Sequence, residues 1–355
     1  MATLKPKPIP DLERIIEFEL VRATEHAALH ASAWMGKGDK NAADQAACDA
    51  IRGMFDLIPC CGEVVIGEGA KDDAPGIFLG EQLGTWEPGT APLDIAVDPV
   101  DGTTNISKGL PNVLSVLAAA LSPDGHGQTL KNLPSFYSEK LAYGPRVRNH
   151  MVKVGVEQIK LEAPIEENVL LIAHILDVPA HELTVTMLDR PRHEGLMKRI
   201  RKVGARLRMI GDGDVAGAIA PSLPDSGTDL YVGIGGSPEA VLAAAALRCL
   251  GGDMQVKMWP RDDEERQRLT KDGFEKELNT KFYAADLAKG NGVVFCATGI
   301  SDSPLLPGVR FMGHTAVTHS LLMRAKTRTV RHIKAIHDLS TKTIRLRSTR
   351  AEQTL

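Results

Sequence analysis

The sequence has no excess of either charge: 42 Lys and Arg stand against 45 Asp and Glu in 355 residues, a formal net charge of −3. Such a balance gives the chain as a whole no electrostatic reason to bind nucleic acid or an anionic membrane surface. No uninterrupted apolar run approaches a bilayer span, and the stretch Met1 to Pro8 lacks the apolar core of a secretion signal, so a cytoplasmic location is the expectation. Cysteine is scarce and odd in number. Cys48, Cys60, Cys61, Cys249 and Cys296 include no C-x-x-C pair of zinc-site spacing, which leaves free thiols as the expected state. There is no internal repeat and no low-complexity linker. What the chain has in quantity is hydrophobic residues, 43% of the total, enough at this length for a substantial core in two subdomains. The partner expected is a small molecule.

One stretch concentrates chemistry. Leu93-Asp94-Ile95-Ala96-Val97-Asp98-Pro99-Val100-Asp101-Gly102-Thr103-Thr104 reads as a mostly apolar strand ending in two carboxylates, a turn and two hydroxyls. Pro99 cannot donate to a sheet ladder, so the strand is expected to stop near Asp98 and swing Asp98 and Asp101 toward one space. Gly102 permits a close backbone approach, and a phosphate there could take the N–H groups of Gly102 to Thr104 while hard cations sit between it and the carboxylates. Asp, Pro and Gly are also ordinary turn residues. Taken alone, the stretch reads equally as a strand followed by an acidic turn, and the other acidic stretches decide.

Along the rest of the chain, apolar spacing predicts a helix from Leu12 to about Ala33 and another over Asn41–Phe55 after a Gly36–Lys40 loop, placing Lys40 and Asp44 around one helix start. A short strand over Gly62–Ile66 exits at Glu68, between Gly67 and Gly69. Asn112–Leu121 reads as a buried strand, Pro134–Lys140 as a loop carrying Tyr137, Asn168–Ala173 as a strand and Pro179–Met187 as a short helix. Arg190-Pro191-Arg192-His193 precedes a helix over Glu194–Arg201 and reads as a phosphate clamp or an exposed basic loop. Arg206–Gly217 is a strand-to-helix turn around Asp212-Gly213-Asp214. Leu230–Glu239 is another, with Ser237 as the expected cap, Pro238 at the first helical position and Glu239 in the first turn. Asn291–Gly299 and Thr329–His337 read as late strands, the second at an edge, and Arg324–Arg350 as a solvated basic face and tail. A subdomain change near Ala163–Pro164 divides the chain into 1–163, a metal-binding part, 164–340, a substrate-binding part, and a basic tail over 341–355.

Taken together, Gly67-Glu68-Gly69, Asp98-Pro99-Val100-Asp101-Gly102-Thr103, Asp212-Gly213-Asp214 and Gly236-Ser237-Pro238-Glu239 resemble the class II fructose-1,6-bisphosphatases of bacteria, in matching order over about residues 10–338. These belong to the lithium-sensitive, metal-dependent sugar phosphatases, with the inositol monophosphatases. The resemblance implies an α/β fold of alternating α-β-α-β-α layers and hydrolysis of the 1-phosphate of fructose 1,6-bisphosphate with Mn²⁺ or Mg²⁺. It further implies Asp44 and Glu68 on one ion, with Asp98, Asp101 and Glu239 on a second. Asp101, Gly102, Thr103, Tyr137, Arg190, Pro191, Arg192, Asp212, Gly213, Asp214 and Gly236 would contact substrate. Thr103 would orient water, with Lys40 and Asp72 completing the acid/base group. A homo-oligomer, dimer or tetramer, is implied as well. The chain departs from the family at Asp101, where class II members usually carry glutamate. Rival readings are a dual fructose/sedoheptulose bisphosphatase, an inositol-type monophosphatase and a catalytically silent sugar-phosphate sensor.

Overall fold

The computed structural model describes residues 12–67, 76–344 and 346–347. The first half runs α1 (Leu12–Ser32), α2 (Lys40–Phe55), β1 (Cys60–Ile66), β2 (Gln82–Leu83), β3 (Ala91–Asp101), α3 (Thr103–Lys108), β4 (Leu114–Leu121), β5 (Tyr137–Tyr143), α4 (Pro145–Val154) and α5 (Ile165–Leu176). There follow β6 (Thr184–Leu188), a 3₁₀ turn (Pro191–His193), α6 (Glu194–Lys202), β7 (Arg206–Ile210), α7 (Asp214–Ile219), β8 (Leu230–Gly236), α8 (Ser237–Leu250) and β9 (Asp253–Trp259). The chain ends with α9 (Asp263–Lys271), α10 (Glu275–Leu278), β10 (Lys281–Tyr283), α11 (Ala284–Leu287), β11 (Val293–Gly299), β12 (Arg310–Met312), β13 (Thr315–Arg324) and β14 (Thr329–Asp338).

The strands form two mixed sheets, in the orders β12-β13-β11-β4-β3-β1-β2, with β14 on β13, and β10-β9-β5-β8-β6-β7. Among the described residues, parallel pairing is confined to β1 with β3 and to β6 with β7 and β8. Sheet membership does not follow chain order. The first sheet takes β1–β4 and β11–β14, the second takes β5–β10, and Ala163–Pro164 falls between α4 and α5 inside the second sheet's span.

Three apolar clusters hold the layers together. One joins α1 and α2 to the first sheet through Leu20, Ile51, Phe55, Ile95 and Leu117. Another joins α4, α5 and α6 to the second sheet through Val147, Val169, Ile200, Leu141 and Val185. Between the sheets lies α8, whose alanines Ala243, Ala244, Ala245 and Ala246 are all buried. A helix apolar all round belongs in an interior, and small side chains let a sheet approach on either side. The result is a layered α/β fold, helices outside and between two sheets.

Several local expectations are corrected. Tyr137–Lys140 is not a loop but the start of β5, central in the second sheet. It read as polar because Ser138 and Lys140, both buried, occupy one face of the strand. Asn168–Ala173 lies in α5, not a strand: Ile165, Val169, Ile172 and Ala173 are buried at helical spacing. The Pro179–Met187 segment contains no helix and runs into β6, whose β-branched residues sit between β7 and β8. β3 does not stop at Asp98. Its pairing with β1 reaches only as far as Ala96, and its register against β4 shifts between Asp98 and Asp101. The missing N–H of Pro99 thus falls in a bulge. Ser237 is the first helical residue of α8 rather than its cap, and its hydroxyl meets Ser135 and Ser138 at 3.0 and 2.6 Å. Arg324 is buried beside Glu17 at 3.4 Å, not part of a solvated face.

Candidate active site

A cavity of about 620 Å³ is lined from the first sheet by Gly67, Asp98, Asp101, Gly102 and Thr103. The second sheet and its turns contribute Tyr137, Arg190, Arg192, Asp212, Asp214, Gly236 and Glu239. The bulge in β3 sets the first group. Val100 N–H donates to Asp98 Oδ1 at 3.0 Å, closing the kink, and Gly102 then takes a left-handed conformation, φ 111°, immediately before α3. A Cβ at Gly102 would also lie 2.8 Å from the carbonyl oxygen of Asn112, so this turn admits glycine alone.

The carboxylates are short of partners. Asp101 Oδ2, Glu239 Oε2 and Asp44 Oδ1 are each shut from solvent without a hydrogen bond. Burial, followed by the charge of Glu239, pushes the Asp101 carboxyl well above its usual range. Burial raises Glu239 too, against an opposing pull from Lys140. Asp44, on the buried face of α2, is pushed up by burial to about 7. Hard oxygen donors left orphaned in an interior are what a divalent cation satisfies, so these residues fit a metal. Among the described residues no three His, Cys, Asp or Glu side chains are drawn together closely enough to hold one ion. Glu68 and Asp72 lie outside the described residues.

Asp214 is different, because both of its oxygens are engaged. Lys140 Nζ pairs with Oδ2, and the Tyr231 hydroxyl donates to Oδ1. Lys140 is completely buried. Room for this arrangement comes from glycine: a Cβ at Gly235 would run into Asp214, and one at Gly236 into Glu239. Asp212 instead reaches across the cavity wall, accepting from Thr104 N–H at 3.2 Å, while Arg190 approaches its other oxygen at 3.5 Å. Thr104 N–H is therefore committed to a carboxylate rather than left for a phosphate. Arg190 also donates to the Gly211 carbonyl at 2.6 Å. Arg192 is exposed, donates to the Ile234 carbonyl at 2.7 Å and stacks over the Tyr137 ring at 4.7 Å. His193 is buried behind them, between the Leu188 carbonyl and Ile234 N–H at 2.8 Å each.

Of the remaining sequence candidates, Pro191 and Gly213 sit in the turns that carry Arg192 and Asp214, and Gly213 is left-handed at φ 89°. Lys40 is exposed at the first residue of α2, and neither it nor Asp44 lines the cavity. Sequence reasoning missed Lys140 and Tyr231 as partners of Asp214. The alternation in Leu230-Tyr231-Val232-Gly233-Ile234-Gly235, which leaves tyrosine and two glycines on one face, carried the signal for the second. It also missed Arg261, Glu265 and Arg268, which line the cavity from in and beside α9. Glu265 is buried and accepts from Phe136 N–H at 2.7 Å and Arg261 N–H at 2.9 Å. Nothing in that polar helix distinguishes these residues from a solvated surface.

Comparison with known proteins identifies the family. The family model for the bacterial fructose-1,6-bisphosphatase, glpX-encoded, matches residues 14–337. A class 2 fructose-1,6-bisphosphatase from Haemophilus influenzae is 42% identical over 340 residues, covering 92% of this chain and 97% of the relative. The fructose-1,6-bisphosphatase 1 class 2 of Escherichia coli K12 is 39% identical over 342 residues, covering 93% and 97% respectively.

Proposed function

The chain belongs to the bacterial, glpX-encoded class of fructose-1,6-bisphosphatases, and from that membership we propose that it hydrolyses the 1-phosphate of D-fructose 1,6-bisphosphate. The products are fructose 6-phosphate and inorganic phosphate, the gluconeogenic step. One observation carries the reading at the level of the site. A single cavity brings orphaned buried carboxylates, Asp101 and Glu239, together with the Gly102-Thr103 turn and with Arg190 and Arg192. An anionic substrate needs arginines, and a cluster of carboxylates beside it needs cations.

In this reading Asp44 and Glu68 hold one divalent ion, and Asp98, Asp101 and Glu239 a second, with Mn²⁺ or Mg²⁺ as the metal. Such ions supply charge neutralisation and Lewis-acid polarisation of the phosphoryl oxygens. Thr103 orients the attacking water, with Lys40 and Asp72 as the acid/base pair. Gly102 and Gly236 allow the substrate to approach backbone. Tyr137 and Arg192, stacked on one another, contact the sugar and its non-reacting phosphate; Arg190 and Pro191 shape that end of the cavity. Asp212, Gly213 and Asp214 complete the sugar side. The protein works in the cytoplasm as a homo-oligomer. Phosphate release from a panel of sugar mono- and bisphosphates, with Mg²⁺ and Mn²⁺ varied, is the test. Fructose 1,6-bisphosphate should be the best substrate; comparable turnover of sedoheptulose 1,7-bisphosphate would assign a dual activity, and preference for inositol phosphates would overturn the proposal.

A further inference from the structure

Lys140 is a lysine with no exposure to solvent, on the buried face of β5 beside Ser138. Its ion-pair partner is Asp214, which the Tyr231 hydroxyl holds from the other side. The two meet over a surface cleared of side chains. Register places Lys140 opposite Gly233 and Ser138 opposite Gly235 across β5 and β8. Strand alternation puts residues 138 and 140 on the same face as 231, 233 and 235. Glycine at 235 leaves the volume in which ammonium and carboxylate approach, since a Cβ there would collide with Asp214 Oδ2, while glycine at 233 makes room for the His193 ring. The same ammonium acts on Glu239, favouring its charged form, while Asp101 carries the repulsion of Glu239, Asp212 and Asp214. Lys140 therefore sets a fully buried cation behind the carboxylates, apart from the arginines that line the open cavity.

We infer that Lys140 is a positioning residue that neutralises Asp214, so that Asp214 is neither a metal ligand nor a free charge, and the affinity of the cluster for divalent ions is set by the balance of this one pair. The inference rests on the metal-dependent reading above. Its distinctive consequence is compensation. Asp214→Asn leaves the ammonium uncompensated beside Glu239 and weakens divalent binding; removing Lys140 as well restores the net charge and with it the affinity, although both original contacts are gone. A pair of unit charges a few ångströms apart in a partly buried site carries enough energy to move a metal midpoint by about tenfold or more.

The experiment is a Mg²⁺ titration of thermal protection, without substrate, on the parent, Asp214→Asn, and the double variant Lys140→Met/Asp214→Asn. The expected result is a midpoint at least about tenfold higher in Asp214→Asn and within about fivefold of the parent in the double variant. A double variant as weak as Asp214→Asn would overturn the inference, because that is the behaviour of a direct metal ligand. An unchanged midpoint in Asp214→Asn would also overturn it. If Asp214→Asn fails to fold, the double variant decides alone: its buried pair is neutral, and a midpoint more than about fivefold above the parent counts against charge balance. Absence of Mg²⁺ protection in the parent is a separate outcome, and it would remove the metal-dependent reading itself.

Discussion

Replacing Gly235 by alanine puts a methyl group where Asp214 Oδ2 now lies, while the same change at Gly236 puts one against Glu239. Neither glycine has a positive φ, so the backbone tolerates alanine and the whole cost is the collision. The two carboxylates differ in their freedom to yield. Glu239 Oε2 has no hydrogen bond and ends a three-bond side chain, so it can swing aside at little cost in stability. Asp214 is gripped by Lys140 and Tyr231, and moving it breaks a buried ion pair at a cost of about 3–5 kcal/mol. With an unfolding entropy of roughly 0.75 kcal/mol/K for a chain of 355 residues, Gly235→Ala should lower the melting temperature by about 4–7 °C. Gly236→Ala should melt within about 1–2 °C of the parent yet lose most of its response to Mg²⁺, because the displaced carboxylate is the proposed ligand. Calorimetry with and without Mg²⁺ measures both quantities. If Gly236→Ala proves the less stable of the two, or Gly235→Ala melts with the parent, the assignment of a fixed Asp214 and a yielding Glu239 is wrong.

Thr103→Ala should fold normally and lose roughly 10²–10⁴-fold in kcat, as expected for a residue that positions the attacking water; ordinary turnover at matched metal and substrate would remove that role. Arg192→Ala should raise KM for the bisphosphate more than it lowers kcat, since the guanidinium is exposed in the cavity and held by Tyr137 and the Ile234 carbonyl. Asp101→Glu should keep activity within about tenfold of the parent, whereas Asp101→Asn, which removes charge at constant size, should lose metal affinity and turnover together. His337 is buried against Thr318 Oγ1 at 2.8 Å, and burial lowers its pKa to about 4. Its folded value lies below the unfolded one, so the stability it contributes is complete above about pH 6.5 and is lost as pH falls toward 4. The melting temperature of the parent should therefore decline on acidification through this window, and that of His337→Gln should decline less.

How far the sequence could be read depended on which surface each residue faced. The helices α1 and α2, the strand-to-helix turn leading to Glu239, and the glycine turn at Gly213 were legible because their signals are local: helical spacing, Pro and Gly placement, carboxylates beside glycine. β5 was not, because its buried face is built of Ser138 and Lys140, and polar residues facing an interior look like a loop until their partners are known. Those partners, Ser237 and Asp214, lie 99 and 74 residues away. α5 and β6 were exchanged for similar reasons: Leu170 is exposed, so the run from Val169 to Ala173 is less uniformly interior than its composition implies, and the turn before β6 carries no strong stop. For the site, residue types near glycines were visible, but not the difference between Asp214, which has two partners, and Asp101, which has an oxygen with none.

The division of the first sheet between the two ends of the chain has a consequence for synthesis. β4 pairs with β3 on one side and with β11 on the other, and β11 begins at Val293, long after β4 ends at Leu121. At about 5–20 residues per second on the ribosome, the β11-facing edge of β4 waits on the order of 10–30 s for its neighbour. During that interval the strand Leu114-Ser115-Val116-Leu117-Ala118-Ala119-Ala120-Leu121 offers an apolar edge with unpaired backbone groups, the kind of surface that recruits chaperones or other nascent chains. Every residue lining the cavity precedes Val293. A polypeptide released early could thus carry all of those side chains and still have no closed sheet to hold them, so premature termination near residue 290 should yield aggregate rather than a weakened enzyme.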